Sequence, residues 1–425
     1  MTVQIQNRKL RYRLSLLSLG IMGGSIYILM YIRYVFYDQM IQTLGCTNAQ
    51  LGMLNTVCST IYIVTTIPGA YLADKFDAKK IILFSISGIT VLTYIYAAFV
   101  TSYTMAMVVW ACQPIVLMPY WGALIKYINN LGGEESAGNS YGMYYLINGL
   151  AGAFGNAFPL WVSQYFGYRG AVFSIGTITL IATVLVWLFL DSEKDKLARG
   201  EVMEGDEPIR LKYVKYVLKW PGTYIIFFAY LTTYTIYSNV SYFNPYLIDV
   251  IGIDPDVSSV YAVIRNYGAM VVAPIGGFMA DKVFKSTSKW FVAAFSVSAV
   301  MFAVPFLFTQ DSNVTLVCVY SVLPSLVVFA LYAVTYSILR ELHIPNTVMG
   351  TAVGLGSISG DISDAVFPTM FGTWLDRYGN TGYTYIFLFL IAICVVGILN
   401  AFWAMRHNKK CLAGKRVLLI REDEA

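Results

Sequence analysis

Four charged side chains stand where their neighbours are apolar. Arg33 lies in "YILMYIRYVFYDQ", Arg265 in "SSVYAVIRNYGAMVVAPIGG", and Asp361 and Asp364 in "GLGSISGDISDAVFP". A guanidinium offers a planar fork of donors and keeps its charge at physiological pH, so it suits a carboxylate or a phosphate. An aspartate beside such a group can carry a proton or balance the charge. Asp361 and Asp364 are spaced i, i+3, so both can project toward one helical face. Two readings are open at this level. Arg33 and Arg265 receive an anion while the aspartates couple or balance it, or Arg265 is held in a structural ion pair by one aspartate. Catalysis has no comparable constellation. No nucleophile is set beside a base, the six cysteines lack metal-ligand spacing, and His343 and His407 fall at helix ends. Neither enzyme chemistry nor a bound metal is expected.

The elements that must position these charges come from the apolar runs. Hydrophobic residues make up 57% of 425 positions and charged ones 12%, against roughly a quarter charged in soluble domains. A membrane span needs about 20 mostly apolar residues. Twelve such blocks can be marked, at about 14–38, 49–73, 80–102, 104–128, 140–165, 169–190, 220–248, 257–280, 289–309, 314–339, 348–375 and 382–405. Arg265 falls about nine residues in from the outer end of its block, roughly 13 Å deep at 1.5 Å per residue, near the bilayer midplane. A permanent cation there costs a few kcal/mol or more, and such residues face a cavity or a counter-ion. With the amino terminus inside, Arg169 and Arg377 fall outside, Arg33 and Arg265 fall within spans, and the other 25 of the 29 Lys and Arg residues are cytoplasmic. The positive-inside rule therefore places both termini in the cytoplasm. The net charge of +5 follows from this topology and implies no nucleic-acid partner. The basic start runs into a full-length first span, so no cleavable signal is expected.

The longest polar stretch, 191–219, separates six spans from six, giving bundles at 1–190 and 220–405 with a cytoplasmic loop between and a tail at 406–425. Self-similarity crosses that loop. "PGAYLADK" at 68–75 recurs as "IGGFMADK" at 275–282, an offset of 207, and "YVFYDQMIQTLG" (34–45) overlies "SYFNPYLIDVIG" (241–252) at the same offset. Phe158-Pro159 and Phe367-Pro368 repeat at an offset of 209. Parallel halves of this kind hold a substrate site near the bilayer midplane, between them, and work by rocking. The doubled loop resembles the cytoplasmic signature of the major facilitator superfamily, fitting best from Gly277 to Lys282. In the first copy Ala70 replaces the motif's first glycine and Asp77 its second. The resemblance covers residues 10–405. It implies an all-α membrane protein of twelve transmembrane helices in two pseudo-symmetric six-helix bundles, with Asp74, Lys75, Asp281 and Lys282 as a conformational latch.

Within that superfamily, "YIRYVF" is similar to the arginine-bearing first span of the glycerol-3-phosphate and hexose-6-phosphate antiporters, although span seven here has no second arginine. An arginine in span eight is similar to the oxalate:formate antiporter, which pairs it with a lysine in span eleven where this chain has Asp361 and Asp364. The resemblance implies an organic-anion branch, with a monocarboxylate or zwitterion favoured over a dianion. Tyr34, Tyr145, Tyr237, Tyr242, Tyr267 and Asn239 are the candidate pocket residues around Arg33 and Arg265, since a tyrosine gives an apolar body with one orienting hydroxyl. Glycines in "GLAGAFGNAFP" and "GTAVGLGSISG" allow close helix approach. The expected protein is a monomeric secondary transporter of a small organic anion in the bacterial cytoplasmic membrane, surrounded by lipid. It has no cofactor and is coupled to H⁺, with Na⁺ as the other ion. The rival readings are a carrier of a neutral sugar or nucleoside, a drug exporter, and a transporter-derived sensor.

Overall fold

In the computed structural model of the chain, residues 8–132, 137–193, 195, 218–266, 268–344 and 346–414 are described, apart from some side chains within the helices. Every regular element among them is helical. The chain divides into two compact units, Met1–Asp206 and Glu207–Ala425. By length and composition, six helical stretches can cross a membrane unaided by neighbours: Ala78–Phe99, Tyr103–Ile128, Met143–Phe189, Thr287–Leu307, Val314–Tyr332 and Thr381–Leu412. The other expected spans are interrupted or carry polar residues, and those irregularities are where the charges sit.

In the first unit, α1 (Arg8–Ser25) gives way to an irregular segment with a 3₁₀ turn at Ile32–Tyr34 and resumes as α2 (Tyr37–Leu44). The helix α2 stops at Gly45, whose φ of 59° is left-handed and favours glycine. Thr47 and Gln50 then form a reciprocal capping box that starts α3 (Asn48–Lys75). Asp77 caps α4 (Ala78–Phe99) by accepting from the backbone of Lys79 and Lys80. The fourth span is split into α5 (Tyr103–Leu117) and α6 (Tyr120–Gly132) at Pro119, which lacks an N–H and crowds the preceding turn. The last helix, α7 (Ala137–Phe189), supplies two spans, because Gly167 at φ 65° and ψ −173° breaks its helical path. Small residues bring α1 onto α7: a Cβ on Gly23 would meet the Tyr144 hydroxyl at 2.3 Å, and one on Gly24 the Asn148 carbonyl at 2.5 Å.

The first residues after α7 are tied to several helices at once. Arg11 pairs with Asp191 at 3.3 Å and Lys126 with Glu193 at 2.8 Å. Lys79 Nζ donates to the Leu190 carbonyl at 2.5 Å, and the Glu193 amide donates to Asp77 at 2.8 Å.

The second unit repeats the opening of the first. The helix α8 (Pro221–Asn239) passes through a 3₁₀ turn at Val240–Tyr242 into α9 (Phe243–Asp249), and left-handed Gly252 follows at φ 79°. Span eight is α10 (Pro255–Asn266), a 3₁₀ turn at Gly268–Val272, and α11 (Ala273–Phe278), ending in a π-type turn at Met279–Val283. Then come α12 (Thr287–Ala303), α13 (Val314–Tyr332), the short α14 (Leu339–Leu342), α15 (Asn346–Tyr378) and α16 (Thr381–Leu412). Glycines again set the packing, with Gly276 pressed on the Ala330 carbonyl of α13 and Gly360 under the Tyr230 and Tyr234 rings of α8.

Candidate functional site

Arg265 is in the last turn of α10 and is fully buried. Its Nη1 donates to Ser321 Oγ on α13 at 2.8 Å. The Ser321 hydroxyl in turn donates to the Cys318 carbonyl at 2.7 Å, which leaves its lone pairs aimed at the guanidinium. The Phe243 ring of α9 covers the group, its centroid 5.8 Å from Cζ. Nε and Nη2 have no hydrogen-bond partner among the described residues. These two nitrogens are the side-on fork that binds a carboxylate in bidentate fashion. Burying such donors unmet costs about 1–3 kcal/mol each. Other buried polar atoms of the second unit, among them Asn239 Oδ1 and Asn266 Nδ2, also lack a partner among the described residues, but Arg265 is the charged one.

The aspartates are elsewhere in that unit. Asp364 on α15 is buried and accepts from Tyr234 at 2.7 Å and from Ser238 at 2.9 Å, both on α8. Ser363 beside it accepts from Thr235 at 3.0 Å. No carboxylate pairs with Arg265 among the described residues, so the ion-pair reading of Arg265 gives way to Ser321. The reason is local: hydroxyls of α8 reach Asp364 first. Asp361, one turn earlier on α15, is half-buried.

Around the aspartates lies a tyrosine stripe that spacing only partly reveals. Tyr230, Tyr234 and Tyr237 share a face of α8, and Tyr332 and Tyr336 come from α13 and the turn after it. Tyr237 stacks on Tyr332 at 4.3 Å, Tyr230 on Tyr336 at 5.2 Å, and the Tyr230 and Tyr332 hydroxyls meet at 3.2 Å. All five rings are half-buried. The stripe is an amphipathic surface, with one half-buried carboxylate at its edge.

In the first unit Arg33 is buried in the 3₁₀ turn after α1, with the Tyr34 ring 5.1 Å from its Cζ. Tyr34 stacks on Tyr31 at 5.2 Å, and Tyr27 continues the cluster to Tyr120 and Trp121. Tyr145 is 57% exposed and meets the Tyr144 ring edge-on at 5.1 Å. In the second unit Tyr237 joins the stripe, while Tyr242 is buried, donates to the Pro368 carbonyl at 3.3 Å and packs on Phe371. Asn239 donates locally to the Thr235 carbonyl at 2.8 Å, its Oδ1 buried without a partner. Tyr267 lies outside the described residues.

Of the latch residues, Asp74 has its side chain outside the described residues. Lys75 is exposed and lies over the Tyr71 and Phe76 rings. Asp281 and Lys282 are in the π-type turn. Sequence reasoning did not single out Glu341, which accepts from Ser286 at 3.0 Å and from the Ser288 hydroxyl and amide at the start of α12. Its position next to Arg340 made it look like an ordinary membrane-edge charge.

Comparison with known proteins gives the wider setting. A family profile described as the Major Facilitator Superfamily matches residues 17–368, with a second match over 226–417. The chain is 26% identical over 409 residues to inner membrane protein YihN of Escherichia coli (strain K12), covering 93% of this chain and 97% of that one. It is 23% identical over 392 residues to the probable sulfoacetate transporter SauU of Cupriavidus necator, covering 84% and 85%. Among solved structures, a bacterial homolog to the human lysosomal transporter Spinster gives a TM-score of 0.72 at 15% identity, covering 95% of this chain and 98% of that one. The D-xylose-proton symporter gives a TM-score of 0.72 at 14% identity, covering 94% and 97%. These two likenesses carry the fold alone.

Proposed function

The chain belongs to the Major Facilitator Superfamily, and from that premise we propose that this membrane transporter carries a small organic anion by alternating access, coupled to H⁺. The observation that carries the reading is the buried side-on fork of Arg265, Nε and Nη2, with no partner among the described residues. A carboxylate or sulfonate fills such a fork with two charge-assisted bonds. Ser321 holds Nη1, and the Phe243 ring lies beside the guanidinium, 5.8 Å from Cζ. Arg33, buried beside the Tyr34 ring, is the embedded cation of the first unit, although not the repeat-related partner of Arg265. Asp361 and Asp364 are the carboxylates available for coupling or charge balance. The name of the relative SauU supports including sulfonates in the substrate class. The Lys and Arg distribution and the inner-membrane relatives support a bacterial inner membrane with both termini cytoplasmic. A second reading, a neutral hydroxylated solute, is favoured by the half-buried tyrosine stripe.

The test is counterflow in proteoliposomes with labelled small carboxylates, sulfonates and neutral sugars. The anion reading expects an anion to exchange, Arg265→Gln to abolish exchange, and Arg265→Lys, which keeps the charge but loses the fork, to lose most of it. Exchange of neutral sugars alone, or normal anion exchange by folded Arg265→Gln, overturns it.

A further inference from the structure

We propose that the two aspartates of α15 divide their labour, Asp361 carrying the coupling proton and Asp364 serving as a fixed positioning residue. This deepens, and rests on, the proton-coupled reading above. The division follows from how the two carboxylates are bound. Asp364 is 2% exposed and both its oxygens are engaged, Oδ2 by the Tyr234 hydroxyl at 2.7 Å and Oδ1 by the Ser238 hydroxyl at 2.9 Å. Two hydroxyl donors stabilise the charged form and orient the carboxylate. They also tie α15 to α8, an attachment reinforced by Thr235 and Ser363 at 3.0 Å. A proton on Asp364 would add a donor where two are already aimed.

Asp361 has the opposite surroundings. It is half-buried and has no hydrogen bond or ion pair among the described residues. The titratable groups that face it are Asp364 on its own helix and Tyr230 on α8, and the Tyr230 hydroxyl is shared with Tyr332. Among the described residues no arginine or lysine is paired with it, and the hydrogen bond of Arg265 goes to Ser321. Two carboxylates one turn apart in an embedded helix repel, and adding a proton to one of them removes that cost. The oxygens of Asp361 are open to receive it. Protonation forms one O–H bond on Asp361 and cancels one charge. Release breaks that bond and returns the proton to water, leaving the Asp364 contacts to α8 unchanged.

The assignment can be tested without knowing the substrate. The full chain in a lipid film is stepped between acidic and alkaline buffer, and infrared difference spectra are recorded in the carboxylic C=O region. The wild type is expected to show the band of a protonated embedded acid that disappears on going alkaline. That band is expected to be lost in Asp361→Asn, retained at shifted frequency in Asp361→Glu, and retained in Asp364→Asn. Loss in Asp364→Asn with retention in Asp361→Asn, or no titrating band in the wild type, overturns the proposal. Uptake into proteoliposomes under an imposed pH gradient separates this from the transport reading. A band that follows Asp361 with uptake indifferent to the gradient removes the coupling reading and leaves Asp361 as the protonated acid. Gradient-driven uptake without such a band removes the assignment alone.

Discussion

Gly276 and Gly277 are neighbours in sequence, and the structure gives them opposite tolerance to a methyl group. A Cβ on Gly276 would lie 1.8 Å from the Ala330 carbonyl oxygen and 2.7 Å from its carbon, both backbone atoms of α13. A Cβ on Gly277 would meet nothing within 4 Å. To bring the first contact out even to 3.0 Å, the tight end of real Cβ contacts, α11 and α13 must part by about 1.2 Å. No rotamer change can supply that, because the obstructing atoms are main chain. Overpacking of this sort costs about 1–3 kcal/mol, and a backbone obstruction belongs at the upper end. At roughly 2–4 °C per kcal/mol for a unit of this size, Gly276→Ala should lower the midpoint of thermal unfolding by about 6–12 °C. Gly277→Ala should leave it unchanged or slightly raised, since alanine restricts the unfolded chain. Fluorescence-detected gel filtration of heated, detergent-solubilised protein reads both variants in one experiment. If the two melt together, the close approach of α11 to α13 is wrong, and with it the packing that sets Arg265 against Ser321.

Further consequences follow from single contacts. Tyr234→Phe removes one of two hydroxyls from the buried Asp364 carboxylate and should cost about 1.5–3 kcal/mol, read as a lower melting temperature, with Tyr237→Phe close to neutral. Ser321→Ala strips the remaining hydrogen bond from the Arg265 guanidinium. Counterflow should fall about tenfold or more, in line with the strength of bonds to charged groups, while Ser321→Thr retains activity. Asp77→Ala removes the cap of α4 and the bond to the Glu193 amide, with an expected loss of about 1 kcal/mol in melting experiments. Asp77→Gly should cost less, because glycine is a tolerable cap.

Much of the architecture was legible because spans are specified by length and hydropathy, which need no partner. The embedded charges were legible for the same reason: an arginine in an apolar run is visible without knowing its neighbours. Partner choice was not. Asp364 is spaced to meet Arg265 as plausibly as Tyr234, and only the lateral packing of α8 on α15 decides for the hydroxyls. The interruption that holds Arg33 was equally hidden, since residues 26–36 contain neither proline nor glycine to announce it. Tyr332 and Tyr336 carry an i, i+4 spacing, but aromatics at such spacing recur along this chain, 16% of it, so the spacing alone does not show that they meet Tyr230 and Tyr237 of α8. Asp77 shows the reverse case. It departs from the family's loop pattern, and the departure is explained by two backbone amides that it caps.

The repeat across the two units separates scaffold from chemistry. At the offset of 207, Gly45 answers to Gly252, and each follows a short helix in the left-handed region. Gly69 answers to Gly276, and each is pressed against a backbone carbonyl, of Met118 and of Ala330. Gly277 answers to Ala70 in sequence, and a Cβ on Gly277 would meet nothing within 4 Å. The charged residues do not repeat. Arg33 answers to Val240 and Arg265 to Cys58, and at the offset of 209 that sets Phe158-Pro159 over Phe367-Pro368, Asp361 and Asp364 answer to Gly152 and Gly155. A guanidinium needed only to brace the bundle would be useful in either copy, because the same helices meet in each. Cys58 is buried in the first unit with no cation at that place, so the packing there does not require one. The arginine of the second unit thus has no counterpart in the first, and the proposed anion reading accounts for that asymmetry through the Nε and Nη2 donors that lack a partner among the described residues.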